Sequence, residues 1–340
     1  MRRMMILGVA TLTLVSGGVV AALHATAAVT PSARPNAVND NGDIVGVATT
    51  AAGESHAVLW SAAAPRGAAP TDLGALGGKS SNARAINNHG QVVGTLTTAN
   101  NDMRAFLWTA TDGMTTLTGP PGSANGCEAN AINDSGQIAG YCVFDSDGAP
   151  DVDGAKAVVW TNGQPTIFEV TGPNRIQEGY ALSINDNGDV YGTSGDTAVV
   201  WNGSTRTVLG TGSTFGDDPG AVNDRGDAVG NVFFGHGRVY TLTTAGTYTE
   251  TDLGAHTTAY DINDNGVVVG YAGGDGVLAP RGFVWSQGTT TPIGTLGGTQ
   301  SYAFGINNHG VIVGQSTLAS KELRGFVLED GTMTVLGSLF

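Results

Sequence analysis

Apolar residues along this chain come in short runs separated by tight polar turns, and the clearest stretch is 79–122. Ser81 to Asn87 (SNARAIN) reads as an extended segment, Asn88-His89-Gly90 as a turn, and Gln91 to Leu96 (QVVGTL) as a second strand. After a variable loop, Arg104 to Trp108 (RAFLW) is a third strand; Thr111-Asp112-Gly113 turns the chain and Met114 to Leu117 begins a fourth. Four strands of roughly five residues joined by Asn/Asp/Gly turns fill the stretch and leave no room for a helix. Asn and Asp tolerate left-handed backbone, and Gly takes positive φ without steric cost, so the turns have a mechanism.

The stretch is one of seven. The segments AVNDNGDIVG (37–46), AINNHGQVVG (85–94), AINDSGQIAG (131–140), SINDNGDVYG (183–192), AVNDRGDAVG (221–230), DINDNGVVVG (261–270) and GINNHGVIVG (305–314) place Asn39, Asn87, Asn133, Asn185, Asn223, Asn263 and Asn307 at one recurring position. The spacings of 48, 46, 52, 38, 40 and 44 residues are those of a repeat architecture. The fold they predict is all-β: a seven-bladed β-propeller with four short antiparallel strands per blade.

Within each repeat the third strand is continuously apolar: HAVLW (56–60), RAFLW (104–108), KAVVW (156–160), TAVVW (197–201), RGFVW (281–285) and RGFVL (324–328). Such runs imply a strand covered on both faces, as in a sheet sandwiched between neighbours. All five tryptophans end these strands. The fifth repeat, read as Arg238 to Leu242, has no Trp, so the symmetry should be weakest there. The first strand carries small residues, with Pro35 and Pro219 at one position in two copies. Proline cannot donate to a ladder, which marks an edge strand; the alanines favour the innermost edge over the outermost. An innermost first strand leaves the ring to close without strand exchange. An outermost one would pair 35–39 with 332–336.

The first 27 residues read as an export signal: Arg2 and Arg3, a mostly apolar stretch from Met4 to Val20, and Ala25-Thr26-Ala27 as a cleavage site. Residues 28–340 are then the propeller domain, about 45 residues per copy. No later segment is apolar enough to span a bilayer as a helix. Losing the two arginines takes the net charge from −14 to −16. An acidic surface repels phosphate backbones, which argues against nucleic acid as a partner. The expectation is a secreted, extracellular monomer.

The linked motifs Ile-Asn-x-x-Gly-x-Val-Val-Gly, His-Ala-Phe-Leu-Trp and Asp-Leu-Gly-Thr-Leu-Gly-Gly resemble the HAF-repeat family of probable extracellular bacterial proteins. Here they stand as His56-Ala57-Val58, Arg104-Ala105-Phe106 and Arg281-Gly282-Phe283, with tails at 71–78 (TDLGALGG) and 293–298 (IGTLGG). The resemblance covers the mature chain and implies secretion and a repeat fold; it brings no catalytic residues.

Cys127 and Cys142 are the only cysteines and flank one hairpin. With a two-residue turn at Asp134-Ser135 they would face each other across adjacent strands. A disulfide is the expected outcome in an oxidising compartment, against a metal pair or two free thiols. In the longest gap between repeats, Asp145 and Asp147 precede Gly148, and Asp151 and Asp153 precede Gly154, a set suited to Ca²⁺ but without an EF-hand spacing; a solvated acidic loop is the alternative. Otherwise no cofactor is required. The repeated Asn-Asp turns are read as structural, His89 and His309 as surface residues, and His236 as lacking a partner nearby in sequence.

No nucleophile elbow, zinc motif, phosphate loop or dinucleotide fingerprint is present. A site could still assemble at one mouth of the ring, near the loops 97–103, 143–155 and 271–280 between second and third strands. The first functional reading is a non-catalytic binding or scaffold module for a cell-wall or extracellular glycan or a protein. The alternative is a polysaccharide-acting enzyme, a glycosidase or lyase, with its site at one mouth.

Overall fold

A computed structural model describes residues 32–123, 126–144, 154–168, 178–211, 219–232, 235–273 and 279–340. The expected signal segment and the acidic loop with Asp145, Asp147, Asp151 and Asp153 lie outside the described residues. Among the described residues there is no helix long and apolar enough to cross a membrane.

Each repeat supplies four strands. The first three repeats hold β1 (Ala33–Val38), β2 (Ile44–Thr49), β3 (Ser55–Trp60), β4 (Thr71–Gly74); β5 (Ser80–Ile86), β6 (Val92–Thr97), β7 (Met103–Thr109), β8 (Gly113–Thr116); and β9 (Cys127–Ile132), β10 (Ile138–Phe144), β11 (Gly154–Thr161), β12 (Gln164–Ile167). Then come β13 (Gly179–Ile184), β14 (Asp189–Ser194), β15 (Thr197–Asn202), β16 (Thr205–Thr211) and β17 (Ala221–Val222), β18 (Ala228–Val232), β19 (His236–Leu242), β20 (Tyr248–Ala255). The last two repeats hold β21 (Thr257–Ile262), β22 (Val268–Ala272), β23 (Arg281–Ser286), β24 (Thr289–Pro292) and β25 (Gly297–Ile306), β26 (Ile312–Leu318), β27 (Leu323–Glu329), β28 (Thr332–Val335). Five sheets have four antiparallel strands; the sixth has eight, the first two repeats being joined by the single parallel pair Ser55–Ser80.

The strand boundaries in 79–122 fall within two residues of those read from the sequence. The fifth repeat needs a correction. Its third strand begins at His236, so Tyr240 opposes Ala228 as Trp60 opposes Ile44. Tyr191 from the preceding repeat fills the space left by the missing Trp, packing with Ala198, Val222, Ala228 and Tyr240.

Hydrophobic cores lie between sheets rather than within one. The cluster of Val45, Ala57, Leu73, Ala83, Val92 and Phe106 joins the first two repeats, and each later neighbouring pair has its own. The set closes on itself: Ala33, Ile44, Val58 and Trp60 of the first repeat pack with Val313, Val327 and Leu336 of the last. That seam is further held by Trp60 Nε1 donating to the Gly337 carbonyl at 2.8 Å and by an Arg66–Glu329 ion pair.

The first strand of every repeat lines one central cavity and, apart from the single Ser55–Ser80 pair of β5, ladders only with the second, so it is the innermost. β1 pairs with β2 and β28 with β27, and the two ends exchange no strand. Proline is tolerated at Pro35 and Pro219 for that reason.

The Cys127–Cys142 disulfide is formed, its Cα atoms 4.0 Å apart. The route to it differs from the expected one. The loop contains three residues, Asp134 to Gly136, since Asn133 N–H donates to the Gln137 carbonyl and Gly136 has φ +76°. This shifts the register by one, and a bulge at Asn130 shifts it back, so Cys127 opposes Cys142 after all.

Candidate binding site in the axial channel

The repeated asparagines do more than turn the chain. Each is buried. The Asn133 Oδ1 accepts the Gln137 N–H at 2.8 Å within its own turn, and Nδ2 donates at 2.9 Å to the Asn185 carbonyl of the next repeat. The second bond recurs from Asn39 to Asn87, Asn133, Asn185, Asn223, Asn263 and Asn307, and Asn307 donates back to Asn39. A second ring runs beside it: the N–H of the residue after each asparagine donates at 2.8 Å to the side-chain Oδ1 of its counterpart in the next repeat. Its members are Asp40, Asn88, Asp134, Asp186, Asp224, Asp264 and Asn308. Sequence reasoning saw only the local turn, because the partner lies a full repeat away.

This ring rims one mouth of the channel with five carboxylates. Asn88 and Asn308 interrupt them by donating to Asp134, Asp40 and Asp264. Asp224 sits mid-run: burial first, then the charges of Asp264, Asp186 and Asp134, push its pKa up against the Asp186 N–H that lowers it. The carboxylates accept backbone N–H groups and among the described residues no group of three or more His, Cys, Asp or Glu is arranged to hold a metal. His89 and His309 lie in the same turns, and the His309 side chain is 70% exposed.

Three residues before six of the seven key asparagines the first strand bulges. Register shifts occur at Asn36, Arg84, Asn130, Leu182, Tyr260 and Phe304. The bulge drives the backbone toward β2 and its counterparts, where only Gly fits: a Cβ on Gly140 or Gly192 would collide with the carbonyl of Glu128 or Tyr180. The second Gly of the motif is thereby explained. The bulged side chains turn into the channel.

There they form a chamber of about 380 Å³ with Arg34, Asn82, Pro219 and Gly220. One arc is polar: Arg34, Asn36, Asn82, Arg84 and Asn130 from the first three repeats. The other is apolar: Leu182, Pro219, Tyr260 and Phe304. Tyr260 and Phe304 belong to a connected aromatic wall. Ring centres are 5.1 Å apart for Tyr260–Phe304, 6.0 Å for Tyr260–Tyr271, 5.1 Å for Tyr271–Tyr302 and 6.2 Å for Tyr302–Phe304. Desolvation beside this wall, then Tyr271, raises the Tyr302 pKa. On the polar side Asn36 Nδ2 donates to Asn82 Oδ1 at 2.8 Å, and Arg84 pairs with buried Glu128. Arg84 Nε and Asn130 Oδ1 are buried with no hydrogen-bond partner.

β1 begins opposite the end of β2, so this chamber opens at the mouth carrying the loops between second and third strands. That is the mouth expected from the sequence. Its described lining comes from the inner strands, however, and includes no described residue of the loops 97–103, 143–155 and 271–280. The signal was present: the position three before each asparagine is the one that varies freely between small neighbours, as Asn, Arg, Asn, Leu, Gly, Tyr and Phe.

At the waist of the channel Asp261 stands where other repeats have Ala37, Ala85, Ala131 or Ser183. One oxygen accepts the Ile262 N–H and the other the Ile306 N–H, each at 2.9 Å. Burial pushes its pKa up to about 6, against those two hydrogen bonds, with a smaller push from Asp264. Ser183 makes the same reach to Val222.

His236 does have a partner. Its Nδ1 is 3.2 Å from Asp252, as His56 Nδ1 is 2.9 Å from Asp72, and Gly254 and Gly74 N–H groups cap the two carboxylates. Ser81 and Thr257 tie these clasps to the next repeat. The His and Asp-Leu-Gly motifs are thus linked structural elements.

A family of proteins of unknown function, DUF3466, matches residues 221–328. No curated protein matches the chain. Among solved structures it is similar to the β-propeller domain of the Trilobed protease from Pyrococcus furiosus, a domain described as having an open velcro topology (11% identity, TM-score 0.54, 91% of this chain and 98% of that one). It is also similar to puromycin hydrolase (13%, TM-score 0.62, 90% and 54%) and to a puromycin-hydrolyzing peptidase of Mycobacterium tuberculosis (12%, TM-score 0.56, 92% and 54%). The chain spans about half the length of these two enzymes. These likenesses show the fold, a β-propeller.

Proposed function

We propose that this chain is a secreted, non-catalytic binding module of seven blades, one per sequence repeat, whose ligand is an extracellular or cell-wall glycan taken at the aromatic mouth. Tyr260 and Phe304, backed by the rings of Tyr271 and Tyr302 and facing a polar arc across one chamber, carry the reading. Pyranose rings offer an apolar C–H face that stacks on aromatic side chains and hydroxyls that need both donors and acceptors. Asn36, Asn82 and Asn130 supply both, and an Asn130 Oδ1 and Arg84 Nε left unpaired cost about 1–3 kcal/mol each until a neighbouring group satisfies them.

Secretion is supported by the disulfide and by the expected signal segment, and membership of the HAF-repeat family by the motifs whose clasps have been described. The groups lining the chamber are those of recognition: ring faces, amides and a guanidinium. Hydrolysis would need a pair of carboxyl groups flanking the bound bond. The test is a screen of the mature protein against oligosaccharides from plant and bacterial cell walls, reading both retention and released product. Retention without product, lost by about tenfold or more in Tyr260→Ala, is the expected result. Product release, or binding indifferent to Tyr260, would overturn the proposal.

A further inference from the structure

We infer that the glycan taken at this mouth is acidic, with the carboxylate of a uronic-acid unit seated on Arg34; the inference rests on the glycan reading above. The chain as a whole has a net charge of −14, yet the described lining of the chamber holds two arginines and no Asp or Glu. The two arginines differ. Arg84 is spent on Glu128, which is itself buried, with 2.5 Å between Nη2 and Oε2. Arg34 is exposed and makes no ion pair among the described residues; its guanidinium lies 4.6 Å from the centre of the Phe304 ring. A guanidinium stacked on an aromatic face is held in orientation while its N–H edge stays open, and that planar fork matches a carboxylate with two parallel hydrogen bonds.

Position adds to chemistry. Arg34 touches Phe304, a member of the stacking wall, so a sugar ring lying on Tyr260 and Phe304 would carry a substituent carboxylate to the Arg34 edge. At the opposite mouth stand the five carboxylates of the Asp40 ring. Along one channel the field therefore runs from an uncompensated cation to a ring of acids, which favours an anion at one end only. A neutral pyranose uses the aromatic wall equally well, and Arg34 is the element that discriminates.

The experiment compares oligogalacturonate, oligomannuronate and oligoglucuronate with the same oligomers after carboxyl reduction to neutral sugars, and with a sulfated neutral oligosaccharide. Affinities for the mature protein and for Arg34→Gln and Arg34→Lys are read by calorimetry at low and high salt. At least one uronate is expected to bind about tenfold or more tighter than its reduced form, the worth of one charge-assisted contact. Arg34→Gln should erase that difference, so that acidic and reduced oligomers bind equally; Arg34→Lys should keep part of it. Equal affinity for acidic and reduced oligomers, selectivity that survives Arg34→Gln, or tighter binding of the sulfated sugar overturns the inference. If reduced oligomers bind as tightly as the acidic ones and Tyr260→Ala abolishes both, the glycan reading stands while the acidic one falls. If no saccharide binds, both fall.

Discussion

The Asn133 side chain bonds both its own turn and the next repeat, and six other asparagines do the same. The residue type was legible in the sequence as a turn former; the bond across repeats was not, because no local pattern marks a partner 52 residues on. Asp261 shows a different kind of legibility. It breaks a column of small residues, and the structure assigns the break a carboxyl held near pH 6. The sign follows from linkage. Its folded pKa lies above the unfolded value near 3.9, so the protonated form is bound more tightly by the native state. The resulting stability is fully present below about pH 4 and lost as pH rises through about 6. Asp261→Ala should therefore flatten the fall of melting temperature between pH 4 and 7, measured by thermal unfolding across that range. An unchanged slope would place the shift elsewhere.

Among elements, the first-strand hairpins carry most of the lesson. Their strands were read without bulges, and in the third repeat the turn was also read one residue too short; there the two errors cancel, bringing Cys127 opposite Cys142. A bulge leaves little trace in a sequence beyond the Gly opposite it, and Gly was already accounted for as a turn residue. The channel-lining residues were missed with it. The third strand of the fifth repeat was misplaced by two residues because Trp had been taken as the marker, and Tyr240 with Tyr191 does its packing instead. The disulfide ties the inner two strands of one sheet across a separation of 15 residues. Replacing both cysteines by Ala should lower unfolding free energy by about 3 kcal/mol in the chain-entropy estimate. Denaturant unfolding of oxidised protein and double variant measures it, and an equal midpoint would contradict the estimate.

For the whole molecule, the repeat period announced the propeller, and small first strands announced which edge faces the axis. How the ends meet was open. They meet without exchanging a strand, through the Asn307–Asn39 bond, the Trp60–Gly337 bond and a shared apolar core. A ring closed this way has no privileged weak joint. Asn307→Ala, at the seam, should cost about as much as Asn133→Ala inside the ring, each about 1–3 kcal/mol from a buried carbonyl and amide left unpaired. Equilibrium unfolding compares the two. A seam substitution without effect would mean that closure does not run through the asparagines.

The repeats build the frame, and the claim that function sits where they differ, at the bulged inner positions, is tested most directly by a crystal structure with a retained oligosaccharide. The account predicts density against Tyr260 and Phe304, with polar contacts from Asn36 or Asn130 and the Arg34 edge. Density confined to the Asp40 ring at the other mouth, or to the outer strands of the sheets, would contradict it.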